Sequence, residues 1–166
     1  LRQTLVRAKE IINHGTTAVE IKSGYGLNPE DEIKMLRVAR RIALETPLTV
    51  KTTFLGAHAV PERFAVRREE YVNEIINEMI PVIASEELAD FIDVFTEDGF
   101  FTVEETDRRL NAGMKYGLRA KVHANQMSFS GGVQIGVKYN AISVDHLEFT
   151  GDDEFKLLSN SETMAT

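Results

Sequence analysis

Cysteine is absent from all 166 residues. That excludes a disulfide framework and any thiolate metal site, and it fits a reducing compartment. Long apolar runs are missing as well, since no stretch reaches the length that spans a bilayer. Leu1-Arg2-Gln3-Thr4-Leu5 lacks the order of a signal peptide, in which basic residues precede an apolar run and small residues follow it. Clustered positive charge is scarce. The formal net charge is −7, and Arg37, Arg40, Arg41, Arg67 and Arg68 sit among acids in helical patterns. A surface that tracks nucleic-acid phosphates is thereby excluded, and solvated helix faces are expected. There is no initiator methionine: the first residues lie inside a helical pattern, and Thr163-Met164-Ala165-Thr166 reads as the start of a strand. The chain is expected to be a piece of a longer protein.

With 43% apolar and 27% charged residues, the composition suits one globular unit with a core. Hydrophobic periodicity alternates between the two regular structures. Leu5, Ala8, Ile11 and Ile12 share a helical face that His14-Gly15 closes. A strand follows at Thr17 to Lys22. Asn28 as N-cap, Pro29 at the first helical position and acids in the first turn then open a helix to about Glu45. Leu48 to Leu55 is the next strand. From Arg68 to Ile83 a long helical pattern contains Pro81, where a kink or break is expected. Strands are expected at Phe91 to Phe95, Arg119 to His123, Ala141 to Asp145 and the last residues. Between them, Thr102 and Glu105 form a capping box, and helices are expected near Gly132 to Lys138 and Asp152 to Leu158.

Strands separated by single helices imply a parallel sheet, either a doubly wound open sheet or a (β/α)8 barrel. The open sheet calls for a Gly-rich phosphate loop after its first strand. Ser23-Gly24-Tyr25-Gly26 lacks the third glycine and the helix-start geometry. A barrel normally takes about 250 residues, so this chain is roughly two strands short.

Of the four histidines, His14 closes a helix and carries no functional role. His58 follows the second strand, His123 ends "RAKVH" and His146 ends "AISVDH". All three belong to the C-terminal mouth of the sheet, with Tyr25 and Glu97-Asp98, and that mouth is the catalytic face of a barrel. Imidazole suits zinc and ferrous iron and acts as a base near neutrality, so a hydrolytic metal site is a natural use of the set. His-x-His occurs nowhere in the chain. Further ligands are expected from strands outside it. Lys22 is expected to pair with Glu20 or Glu97. Gly131-Gly132 is expected to permit close helix packing, and Asp145 to point away from the face that His146 occupies.

The segments "GTTAVEIKSGYGL" at 15 to 27, "KTTFLGAHAVP" at 51 to 61, "DVFTEDGFF" at 93 to 101, "KVHANQMSFSGG" at 121 to 132 and "SVDHLE" at 143 to 148 resemble the imidazolonepropionases. These are metal-dependent amidohydrolases of histidine degradation. The resemblance implies an α/β fold, a partial (β/α)8 TIM-type barrel holding about strands 2 to 7 of the complete enzyme. Residues 1–166 would then form an incomplete catalytic barrel domain of a longer amidohydrolase chain. It implies one zinc or iron ion with His123 among its ligands, His146 as the catalytic residue beside a metal-activated water, and Tyr25, His58 and Gln126 as substrate-binding residues. The implied reaction hydrolyses the cyclic amide of 4-imidazolone-5-propanoate to N-formimidoyl-L-glutamate, in the cytoplasm. A small-molecule substrate is implied, no nucleic acid or membrane, and a homodimer is allowed for. The chain departs from the pattern at Asn125 and Gln126, where many members carry an acid, and neither amide accepts a proton as a general base. Two alternatives stand beside this reading: another ring-opening or deaminating amidohydrolase, acting for example on a pyrimidine or guanine ring, and an inactive partial barrel that associates through its open edges.

Overall fold

The computed structural model describes residues 1–166. Helix α1 (Arg2–Asn13) leads into strand β1 (Ala18–Lys22), and the order continues α2 (Pro29–Glu45), β2 (Thr49–Ala57), α3 (Arg68–Glu74), α4 (Ile80–Ser85), β3 (Phe91–Thr96), α5 (Val103–Lys115), β4 (Arg119–Ala124), α6 (Gly132–Lys138), β5 (Ser143–His146), α7 (Asp152–Ser159) and β6 (Met164–Ala165). All six strands are parallel and neighbours in sequence are neighbours in the sheet. The fold is α/β, a partial TIM-type barrel. Local chemistry explains the boundaries. The Asn28 side chain accepts from the Asp31 N–H at the start of α2, and Thr102 and Glu105 cap α5 reciprocally. At α1 the His14 Nδ1 lies 2.7 Å from the Glu10 carbonyl oxygen, a helix-closing role.

Pro81 does not break its helix. Between α3 and α4 the chain makes one π turn, Ile75–Met79, and Pro81 follows in the first turn of α4. The wider turn accommodates a residue that has no N–H to give and whose ring crowds the carbonyl four residues back.

Strand alternation sorts the side chains into two unlike faces. Phe54, Ile92, Val94, Ala120, Val122 and Val144 turn toward the helices and join Leu36, Tyr71, Ile75, Ile80, Ile83, Leu110 and Val133 in the main core. Close contact between α6 and the sheet depends on Gly132, where an added Cβ would lie 2.6 Å from the Ala124 Cβ. Arg109 is fully buried on this side, its guanidinium 4.1 Å from the centre of the Phe101 ring and its Nη1 donating to the Glu105 carbonyl at 2.7 Å. Burial is the main influence on it and pushes its pKa down to about 10.

The opposite face carries charge where a barrel interior usually carries branched apolar side chains. Glu20 and Lys22 on β1, Asp93 on β3, Lys121 on β4 and Asp145 on β5 meet there. Lys22 Nζ is 2.8 Å from Asp93 Oδ2 and 3.3 Å from both Asp145 Oδ2 and Glu20 Oε1, and Lys121 Nζ is 2.7 Å from Glu20 Oε2. These distances require a curled sheet. Strands β1 and β5 are four spacings apart in the sheet order, about 19 Å if it were flat, and no lysine–aspartate pair bridges that distance.

Candidate active site

The loop after β1 is tied down from beneath. Glu32, in the first turn of α2 and fully buried, accepts from the backbone N–H groups of Gly24 (2.8 Å), Gly26 (2.7 Å) and Leu27 (3.0 Å). Gly24 has φ +115°, and a Cβ there would meet the Leu55 carbonyl oxygen at 2.9 Å, so glycine is required. The fixed loop lifts Tyr25 into solvent with 79% of its surface exposed. It also aims the Gly24 carbonyl at His58 Nδ1, 3.1 Å away.

From Tyr25 a chain of rings crosses the mouth. Ring centroids are 5.1 Å apart for Tyr25 and His58, 6.1 Å for His58 and Phe95, 6.1 Å for Phe95 and His123, and 5.2 Å for His123 and His146. The three histidines therefore share one mouth, with His123 and His146 as neighbours and Phe95 standing between His123 and His58. Phe95 went unremarked in the sequence, although its position two residues after Asp93 puts it on the inner face. Gln126 lies half-buried in the loop after β4.

Both Nδ1 contacts fix chemistry at the other ring nitrogen. A carbonyl only accepts, so His58 donates from Nδ1 to Gly24 and keeps Nε2 as an acceptor. His123 Nδ1 lies 3.0 Å from Asp93 Oδ1 and by the same reasoning presents an unprotonated Nε2. Asp93 is fully buried; burial pushes its pKa up, but the His123 hydrogen bond and the Lys22 charge outweigh that and hold it below the ordinary range. Lys22 is raised: burial works against its charge, and Asp93 foremost outweighs burial. Asp93, His123 and Asp145 offer one ligand atom each within 4.8 Å of one another. The Lys22 ammonium already contacts both carboxylates, which leaves His123 Nε2 as the ligand atom of the three without a competing cation.

Two expectations change. Lys22 pairs with Glu20, as expected, but with Asp93 and Asp145 in place of Glu97. Glu97 instead accepts from the Met127 N–H at 2.9 Å, the Asp98 N–H at 3.0 Å and the Ser128 hydroxyl. It braces the loop after β4. Asp145 points inward as an alternating strand residue should, while His146 leaves strand geometry with φ +88° and Leu147 follows at φ +66°. Two successive left-handed non-glycine residues store strain, and they bring the His146 ring back beside His123. Asn125, also left-handed at φ +54°, is buried and clamped by the Phe149 carbonyl (2.8 Å) and the Ser130 hydroxyl (3.1 Å). Asparagine suits that backbone, and its amide is a brace.

Over almost its whole length the chain is similar to imidazolonepropionases. That of Flavobacterium johnsoniae is 49% identical over 162 residues, covering 98% of this chain and 39% of the relative. That of Flavobacterium psychrophilum is 51% identical over the same span, and that of Paraburkholderia phymatum 44% over 163 residues. The chain spans about two fifths of the length of these curated relatives. No family model matches it.

Proposed function

The chain aligns as a segment of the imidazolonepropionase family, and from that premise we propose that the protein containing it hydrolyses the cyclic amide of 4-imidazolone-5-propanoate to N-formimidoyl-L-glutamate in histidine degradation. Residues 1–166 would be an incomplete catalytic barrel domain of that longer chain. The observation that carries the reading is identity of 44–51% sustained over 98% of the chain. The donor chemistry at the mouth supports it. His123 is held by Asp93 in the form a metal requires of an imidazole, so the residues present fit one ligand of a zinc or iron site whose other ligands lie outside this sequence.

A bound zinc or iron ion supplies Lewis acidity and an acidified water near neutral pH. His146, beside His123, holds and moves the proton at its Nε2 as the ring C–N bond breaks. His58 accepts a ring N–H of the substrate at Nε2, and Tyr25 and Gln126 line the same pocket, which is positioning. Asn125 takes no proton.

No helix is long and apolar enough to cross a membrane. The reading carries a cytoplasmic location, with which the absence of cysteine agrees. The test is turnover by the full-length protein loaded with zinc or iron. Loss of imidazolone propionate with formation of N-formimidoyl-glutamate is expected. No turnover with metal bound, or preference for a pyrimidine or guanine ring, overturns the reading.

A further inference from the structure

Behind His123 lies an arrangement that ring placement alone does not explain. Asp93 is fully buried and uses its two oxygens for different partners, Oδ1 facing His123 Nδ1 at 3.0 Å and Oδ2 facing Lys22 Nζ at 2.8 Å. Lys22 is itself held from two further sides, by Glu20 and Asp145, each at 3.3 Å. The ammonium therefore has little freedom to leave. Burial of three charges across strands β1, β3 and β5 is costly unless their geometry is used.

We propose that Lys22 and Asp93 act as a positioning pair that sets the tautomer of His123. Asp93 accepts the Nδ1 proton of the ring, and Lys22 decides which oxygen of Asp93 is free to do so. The inference rests on the reading of His123 as a metal ligand, because only the tautomer with an unprotonated Nε2 can bind a metal there.

An amide exposes the role of Lys22. In Asp93→Asn a single carbonyl oxygen replaces two equivalent carboxylate oxygens. Lys22 can only donate, so it claims that oxygen and turns the amide NH2 toward His123. The ring must then accept at Nδ1 and carry its proton on Nε2. Removing the ammonium as well, in Lys22→Met with Asp93→Asn, frees the amide to flip and present its oxygen to Nδ1.

The test uses the full-length protein, freed of metal, with nitrogen-15 NMR of the imidazole rings at alkaline pH, followed by calorimetric titration with zinc chloride. In the unsubstituted protein His123 should carry its proton on Nδ1. Asp93→Asn should move it to Nε2 and weaken zinc binding by about tenfold or more. The double variant should return the proton to Nδ1 and recover zinc affinity to within a few-fold of Lys22→Met alone. A merely structural role for Asp93 would leave the double variant no better than the single. Three results each overturn the proposal: an Nε2-protonated His123 in the unsubstituted protein, an unchanged tautomer in Asp93→Asn, or a double variant that keeps the reversed tautomer. The first needs no substitution and so survives any folding defect. Because the tautomer is read without metal or substrate, a protein that shows the expected reversal yet fails to turn over imidazolone propionate refutes the functional reading and leaves this one standing.

Discussion

Replacing Glu32 tests whether the loop that carries Tyr25 is held by one buried carboxylate. Glu32 is fully buried and accepts three backbone N–H groups, of which that of Gly24 is buried and those of Gly26 and Leu27 partly so. A hydrogen bond to a charged group contributes about 1.5–3 kcal/mol, and a buried donor left alone costs its full desolvation. In Glu32→Ala the Gly24 donor loses its only partner, while the other two recover part of their bonding from water. The sum is about 3–5 kcal/mol. In Glu32→Gln the carbonyl oxygen can keep Gly26 and Leu27, but the NH2 faces the Gly24 donor, and the cost falls to about 1.5–3 kcal/mol. Urea unfolding of the full-length protein reads both as shifts in midpoint. The same loop sets the Gly24 carbonyl against His58, so KM for imidazolone propionate should rise in the order Glu, Gln, Ala. A loss below about 1 kcal/mol for Glu32→Ala, with KM unmoved, would refute the idea that this carboxylate shapes the pocket.

His58→Ala should raise KM by about tenfold with a smaller fall in kcat, the pattern of a residue that positions substrate, as steady-state kinetics will show. His146→Asn should lower kcat by about a hundredfold or more while metal content by elemental analysis stays unchanged; loss of the metal would instead make His146 a ligand. Gly132→Ala should destabilise by about 1–3 kcal/mol in urea, because its Cβ would meet Ala124 at 2.6 Å. Acid sensitivity follows from Asp145. Burial pushes its carboxyl up, but the Ser143 and Thr166 hydroxyls and the Lys22 charge pull it down further, to about 2. A carboxyl lowered on folding contributes stability that is complete above its unfolded value, about 3.9, and is lost as the pH falls toward about 2. The urea midpoint of Asp145→Asn should accordingly fall less between those limits than that of the unsubstituted protein.

Residues whose roles follow from strand ends could be read directly. His58, His123 and His146 terminate apolar runs, and strands that end there put them in one mouth whatever the details of packing. The inner face was harder to read. Lys22 meets Asp93 71 positions later and Asp145 123 positions later, and no local pattern signals a partner so remote. Glu32 looks like any acid in the first turn of a helix, and only the closed loop above it reveals what it binds. Asp145 and His146 show where alternation stops being a guide. A period of two holds while φ stays extended, and at His146 it does not. Pro81 marks the same limit for helices, since a single wide turn absorbs it.

The charged inner face also bears on how the protein is made. A ribosome adding about 5–20 residues per second delivers Asp145 roughly 6–25 s after Lys22. Through that interval Glu20 and Lys22 on the emerging first strand have water as their partner. A barrel filled with leucine and valine would expose a sticky sheet for the same time, whereas this one presents a hydrated surface until the fifth strand arrives. Exchanging the Glu20–Lys121 and Lys22–Asp93 pairs for apolar residues of similar volume should therefore increase aggregation during synthesis, measured as the soluble fraction of newly made protein in a chaperone-depleted translation system.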